Sequence, residues 1–405
     1  MRAYERLLKY ISIWTTSDEN SDTVPSSKIQ FDLAKILVEE MKELGIEDAM
    51  VDDKCYIYGS IPATEGCEDK PAIALIAHMD TSPECSGQNV RPQIIENYDG
   101  KDVVLGESGL TLKVSDFPHL SGLKGRTLIT TDGTTLLGAD DKAGIAEALT
   151  VVEEVLTSGE AHGKICICFT PDEEIGRGAD HVDVKKLGAD YGYTLDGGKE
   201  GEIECENFNA STGIFTVTGV STHTGSAKGT LVNAQTLAME IHGMIPVSER
   251  PETTEKYEGF YHLNNMSGNV SKATLKYLIR DFESDGLKAR EAFMRSIADK
   301  MNEKYGEGAV KVEIIPSYRN MKEMIEPCYH LIENAIDATK AAGVEPEVTA
   351  IRGGTDGATL SYMGLPCPNL GTGGYAYHGA LEHITVEGMD KAVEIVKDIL
   401  RRYAE

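Results

Sequence analysis

Residues 72–80 read AIALIAHMD: six apolar residues follow Pro71, and the chain then turns polar at His78 and Asp80. An unbroken apolar run of that length, opened by a proline, predicts a strand covered on both faces, as in a parallel sheet with helices above and below. Ligands of such sheets gather outside the carboxyl ends of the strands. His78 and Asp80 fall at that end, and two residues apart on a strand they leave it on the same side. Taken alone, a His and an Asp at a strand end are more often a loop hydrogen bond than a site. Upstream, Ile29, Leu33, Ile36, Leu37, Met41 and Leu44 recur at helical spacing, and Gly45 stops them, so a helix over 27–44 precedes the strand. The order is α/β, and the fold class it predicts is a mostly parallel central sheet with helices on both faces.

The rest of the chain bounds what that sheet can serve. At 405 residues it exceeds one comfortable core and suggests about two domains. Its formal charge of −27 opposes binding to a phosphate backbone or an anionic membrane, so neither nucleic acid nor a membrane is an expected partner. The N-terminal twenty residues interleave Arg2, Glu5, Arg6 and Lys9 with Leu7, Leu8, Ile11 and Trp14, an amphipathic pattern unlike a secretory leader. No run of 18 apolar residues suits a membrane span. Eight cysteines without a CxxC predict reduced thiols in a cytoplasmic protein.

Four further segments repeat the opening pattern of an apolar stretch delivering polar groups. TLLGADDKAGIAEAL (135–149) runs through Gly138 to Asp140 and Asp141 and into a helix. KICICFTPDEEIG (164–176) is a strand that delivers Glu173 and Glu174. YGYTLDGG (191–198) delivers Asp196, and LPCPNLGTGGYAYHG (365–379) passes through a Gly-rich loop to His378. Each has a bland explanation: a helix N-cap for either aspartate, a solvated loop for the glutamates, an Asx-turn for Asp196, an ordinary loop histidine for His378. Those explanations are independent of one another, and five strand-end coincidences are not what independent accidents produce. Two imidazoles and several carboxylates converging at one sheet edge are the N and O ligands of zinc, with manganese or cobalt as substitutes. Without cations such carboxylates would repel and raise one another's pKa. Three carboxylates against two histidines allow one to bridge two ions. Of the adjacent glutamates one can ligate while the other takes a proton from water; spacing does not say which.

These residues resemble a known family, the dinuclear zinc exopeptidases that include glutamate carboxypeptidase and the N-acyl amino-acid deacylases. The likeness covers nearly all of the chain and is carried by AHMDTSP (77–83), TLITTDGTTLLGADDKAGIAE (127–147), FTPDEEIGRGAD (169–180), YTLDGG (193–198), YLIRDFE (277–283) and IRGGTDGATLSYMGLPCPNLGTGG (351–374). The resemblance implies two zinc ions per subunit: His78 and Asp196 on one, Glu174 and His378 on the other, Asp140 between them. It implies Glu173 as general base and Asp80 as the residue that orients His78.

It also implies a smaller α+β lid domain, 209–316, inserted in a discontinuous catalytic domain of 1–208 and 317–405. The segments TGIFTVTGV, ATLKYLIRDFE and AVKVEII read as strands, and NAQTLAMEIHGMI and LKAREAFMRSIADKMNEKYG as helices, which suits a small sheet with helices on one face. In the lid, His223 corresponds to a histidine that stabilises the oxyanion, although Thr224 stands where the family usually has proline. Arg280 corresponds to the residue that holds a substrate carboxylate. Arg352 opens RGGTDG, whose glycines permit close approach to a ligand and which lacks the ending of a phosphate loop.

The expectation is therefore a cytoplasmic zinc aminopeptidase that releases the N-terminal residue of a tripeptide by attack of water activated between two zinc ions, with a small peptide as its partner and a homodimer left open. A dipeptidase or N-acyl amino-acid deacylase would share every metal ligand and is the alternative. A non-catalytic relative would be expected to lose the base or a ligand, and Glu173 and all five ligands are present.

Overall fold

The computed structural model describes residues 1–106 and 108–405. The chain divides into two units, one of Met1–Cys205, Met321–Ala350 and Thr355–Glu405, the other of Glu206–Asn320 with Ile351–Gly354. The second unit begins three residues before, and ends four residues after, the 209–316 expected from sequence, and it takes in a distant tetrapeptide that contains Arg352.

In the first unit an eight-stranded sheet is built from β1 (Met50–Val51), β2 (Ile57–Ile61), β3 (Ile73–His78), β4 (Ile165–Thr170), β5 (Tyr191–Gly197), β6 (Glu202–Asn207), β7 (Glu347–Ile351) and β8 (Asn369–Gly371), in the spatial order β1-β2-β4-β3-β5-β8-β6-β7. The four central strands β4, β3, β5 and β8 run parallel, and antiparallel pairs flank them at β1–β2, β2–β4 and β8–β6. The central parallel strands are why IALIAH and ICICFT are buried at every position. Alternate residues serve opposite faces: Ala74, Ile76, Cys166 and Cys168 join one cluster with Tyr56, Leu187, Leu360 and Leu365. Helix α2 (Gln30–Glu43) packs against β1 and β2, and α3 (Ala139–Ser158) against β3 and β5, backed by α1 (Ala3–Tyr10) and by the C-terminal helix Val386–Ala404. Its first turn carries Asp140 and Asp141, and the peptide joining them is cis. None of the eight cysteines is in a disulfide, and six are buried.

Gly144 lets α3 lie this close to the sheet. A Cβ there would stand 1.9 Å from the Leu195 carbonyl oxygen and 2.5 Å from Asp141 Oδ1, both on fixed neighbours. Gly144→Ala is therefore expected to destabilise the protein by about 1–3 kcal/mol, the cost of overpacking a dense interior, read as a lower urea midpoint. An unchanged midpoint would mean that α3 can move away from β5 at little cost.

The second unit holds a four-stranded antiparallel sheet in the order 260–268, 272–281, 209–218, 310–316, and two helices, Ala234–Met244 and Ser284–Tyr305. Phe215, Leu275, Tyr277, Ile279, Leu237, Ile241, Met294 and Ile297 form its core. Sequence periodicity finds three of these strands and overlooks Phe260–Gly268. That strand contains Asn264 and Asn265, slips register between Leu263 and Asn265, and is exposed from Asn264 onward, so it shows none of the alternation that marks a half-buried strand. The strand missing from the sequence reading pairs antiparallel with the next, so that 260–268 and 272–281 form a hairpin.

Candidate metal centre

The carboxyl ends of β3, β4 and β5, the first turn of α3 and the loop after β8 place seven of the expected residues together in the first unit. His78 ends β3 and is 2 % exposed, and its Nε2 lies 2.9 Å from Asp140 Oδ1 and 3.5 Å from Asp196 Oδ1. His378, in the loop after β8, approaches from the other side. Its Nε2 lies 3.2 Å from Asp140 Oδ2 and 2.9 Å from Glu174 Oε2. Each oxygen of Asp140 thus faces a different imidazole, and the Nε2 of each imidazole faces one further carboxylate.

Asp80 lies behind His78, whose Nδ1 is 3.1 Å from the Asp80 carbonyl oxygen and 3.3 Å from its carboxylate Oδ1. The same carboxylate accepts the backbone N–H groups of Glu173 at 3.0 Å and Glu174 at 3.2 Å. One buried residue therefore orients an imidazole and pins the turn that presents both glutamates. Asp80→Ala removes the three carboxylate contacts, leaving the residue-80 carbonyl beside His78 Nδ1, and is expected to weaken metal affinity or turnover by about 10–100-fold. Equilibrium dialysis alongside kinetics checks it, and wild-type values for both would show that the backbone alone fixes His78.

The adjacent aspartates divide the two roles that sequence leaves open. Asp141 accepts the His78 N–H with Oδ2 and the Gly144 N–H with Oδ1, so it supports β3 and caps α3. Asp140 keeps both oxygens toward the imidazoles. Three supporting acids escape sequence reasoning altogether. Glu382 accepts backbone N–H groups from Leu137, Gly138 and Asp140 and so holds the approach to Asp140. Asp356 is buried and accepts the Thr170 hydroxyl at the end of β4. Asp172 accepts from Ser26 and Gln30 at the turn before Glu173. Their contacts join positions up to 245 residues apart, for which spacing along the chain carries no signal.

So much negative charge in one place perturbs every group. Burial and then the charge of Asp196 hold Glu173 well above the usual carboxylate range, and burial with the charge of Asp140 raises Glu174 to about 7. Burial opposes a charge on Asp140 too, but hydrogen bonds from His378 and His78 win, and its pKa falls. His378 is raised to about 11 by its bonds to Asp140 and Glu174. Without cations the centre must hold protons instead, the behaviour of a donor set built for metal. Two triads have ligand atoms mutually within 4.8 Å: His78 with Asp141 and Asp196, and His78 with Asp140 and Glu174. The donors are two imidazole nitrogens and carboxylate oxygens, a set that fits two first-row divalent ions.

His223, Arg280 and Arg352 belong to the second unit. His223 is exposed, and its Nδ1 accepts the Gly225 N–H at 3.2 Å, so neutral His223 carries its proton on Nε2. Arg280 donates to the carbonyls of Ile279 and Ser211 and lies over the Tyr318 ring. The ion pair with Asp281 that would explain it blandly is absent, because Asp281 takes Arg290 at 2.8 Å. Arg352 is committed to its own unit, donating to the carbonyls of Lys256 and Glu258 and the hydroxyl of Thr254 while covering Phe208 and Phe260.

A parallel sheet that gathers a shared carboxylate, two histidines and flanking acids at its strand ends defines a dinuclear metal centre of the hydrolytic class. The sequence profile of peptidase family M20/M25/M40 matches residues 131–402, and the chain belongs to that family. It is 52 % identical over 406 residues to peptidase T of Clostridium perfringens, covering 100 % of this chain and 99 % of that one. It is 49 % identical to peptidase T of Alkaliphilus oremlandii, covering 99 % of each. Among solved structures, aminopeptidase PepT of Bacillus cereus superposes with a TM-score of 0.79 at 24 % identity, over 100 % of this chain and 98 % of that one. A tripeptidase of Staphylococcus aureus superposes equally well, at 22 % identity with the same coverage.

Proposed function

We infer that this chain is a metal-dependent aminopeptidase that releases the N-terminal residue of tripeptides, and we propose zinc as its metal and the cytoplasm as its place. The observation that carries the inference is Asp140, whose two oxygens each face a different histidine beside a glutamate left free to move a proton. The full-length identity to peptidase T sequences supports the tripeptide substrate. Eight cysteines outside any disulfide support a reducing compartment, and among the described residues no helix is long and apolar enough to cross a membrane.

His78 and Asp196 would hold one ion, Glu174 and His378 the other, with Asp140 shared. When bound, the ions would supply Lewis acidity, polarising the scissile carbonyl and making water a stronger acid. Glu173 would take a proton from the attacking water and return it to the leaving amine. Its turn is fixed from behind by Asp80, so that the carboxylate starts close to its working position. His223, with its proton on Nε2, would donate to the oxyanion. Arg280, its guanidinium free of any carboxylate partner among the described residues, would bind the C-terminal carboxylate of the peptide. Arg352 is the weaker of the two anchors, since its donors already hold the 254–258 loop. An extended tripeptide spans roughly 10 Å, so a residue that holds the C-terminal carboxylate would select substrates by length.

The test is amino-acid release from an unblocked tripeptide, its N-acetylated form and a dipeptide, using chelator-stripped and zinc-reloaded protein side by side. Zinc-dependent release of the N-terminal residue from the free tripeptide alone is expected. Preference for the acetylated compound or the dipeptide would move the protein to the deacylase or dipeptidase branch, and equal activity after stripping would overturn the metal.

A further inference from the structure

The two histidines of the centre differ in what stands behind them. His78 ends a buried strand, and its Nδ1 meets the carbonyl and the carboxylate of Asp80, itself fully buried. His378 stands in a loop, with φ at +64° and a side chain 41 % exposed, so no strand fixes its direction. Among the described residues no hydrogen bond reaches its Nδ1. The carboxylate that faces this nitrogen is Glu84, whose Oε2 lies 3.8 Å away and whose side chain is 72 % exposed.

The backbone holds Glu84 in that place. It belongs to the loop that continues β3 past His78 and Asp80, and the loop is tied down on both sides of it. Thr81 donates its N–H to the Thr15 carbonyl and accepts the Ser17 N–H, and the Ser86 carbonyl accepts the Leu136 N–H. The Glu84 N–H donates to the Ser82 hydroxyl at 3.3 Å. The segment 78–84 thus carries one ligand, the carboxylate behind it, and a second carboxylate that faces the other imidazole.

The next step rests on the reading above that Glu174 and His378 share an ion. A neutral imidazole carries one proton, so a His378 that gives its Nε2 lone pair to an ion holds the proton on Nδ1 and becomes a donor there. Metal-bound histidines almost always give that N–H to a carboxylate, a carbonyl or water, which fixes the ring and raises its basicity. Glu84 is placed to accept it: a swing of about 1 Å by an exposed side chain brings its oxygen to the distance of a charge-assisted hydrogen bond. We propose that Glu84 is the positioning residue of His378, as Asp80 is of His78, and that its exposure makes the His378 position the weaker and more readily exchanged of the two metal positions. Water competes for an exposed pair and salt screens it, whereas Asp80 is shielded from both.

Zinc-edge anomalous maps from crystals equilibrated at graded free zinc read the two positions separately. In the wild-type protein the His78 position should fill at lower free zinc than the His378 position. Glu84→Ala should raise the free zinc needed to half-fill the His378 position by about 10-fold, the low end for an outer carboxylate, and leave the His78 position where it was. Chelator competition in solution should show the same shift in the weaker site alone, and activity lost at limiting zinc should return as zinc is raised. An equal shift at both positions would make Glu84 a distant charge. No shift at either position would release His378 from it, and a raised KM at saturating zinc would then make Glu84 a substrate contact. Each of these results overturns the proposal. The maps need no substrate, so a protein that filled both positions as expected yet released nothing from tripeptides would sink the aminopeptidase reading and leave the role of Glu84 standing.

Discussion

Glu173→Gln is expected to bind two zinc ions as the wild-type protein does and to lose about 10²–10⁴-fold in kcat, the usual worth of a positioned general base. The substitution keeps the shape of the side chain and removes its ability to take a proton. The metal should stay because the carboxylates that face the imidazoles belong to Asp140, Glu174 and Asp196. The turn should stay because Asp80 holds it through the backbone N–H groups of residues 173 and 174, which the change leaves alone. Burial and the charge of Asp196 keep the Glu173 carboxyl high in the absence of metal. Two cations beside it would pull its pKa down toward the working range of a base. KM should change little, since the residue is assigned no share in binding the peptide. Metal analysis and steady-state kinetics on the same preparation separate the outcomes: loss of zinc would make Glu173 a ligand, and retained turnover would pass the base to another group.

How far this centre can be read from sequence depends on how each residue reaches it. His78, Glu173, Glu174 and Asp196 ride on strands whose apolar runs are visible along the chain, and the rule that ligands gather at carboxyl ends is enough to bring them to one edge of the sheet. His378 is legible in the same way, through the Gly-rich loop after LPCPNLG. The assignment of ligands to particular ions rests on family resemblance, because spacing cannot distinguish Asp140 from Asp141. The structure separates them by what their oxygens touch: imidazoles for one, backbone N–H groups for the other. Glu382, Asp356 and Asp172 are illegible for a related reason. They act on backbone and hydroxyl groups of distant segments, and a lone acid in a loop looks the same whether it faces water or a buried amide. The 260–268 strand escapes notice because a solvent-facing edge needs no apolar alternation.

Asp140→Asn should have the larger effect of the two, because it strikes the group both ions would share. The amide keeps one acceptor oxygen and turns an NH₂ group toward the other imidazole nitrogen, so one half of the centre loses its carboxylate and the other keeps only a neutral oxygen. His78 retains Asp196, and His378 retains Glu174, at 3.5 and 2.9 Å respectively. Each ion would then rest on one imidazole and one carboxylate, fewer than the three protein ligands usual for catalytic zinc. Zinc content after dialysis is expected to fall below one per chain, and activity by at least about 10³-fold, since the Lewis acidity at stake is worth several kcal/mol. The fold should survive: Asp140 contributes no core contact, and Asp141 still caps α3 and holds β3. Circular dichroism and the urea midpoint check that point independently of metal. If Asp140→Asn retained two zincs and turnover, the bridging carboxylate would have to be found elsewhere. Asp141 would be the first candidate, since its side chain already lies within ligand reach of His78 and Asp196.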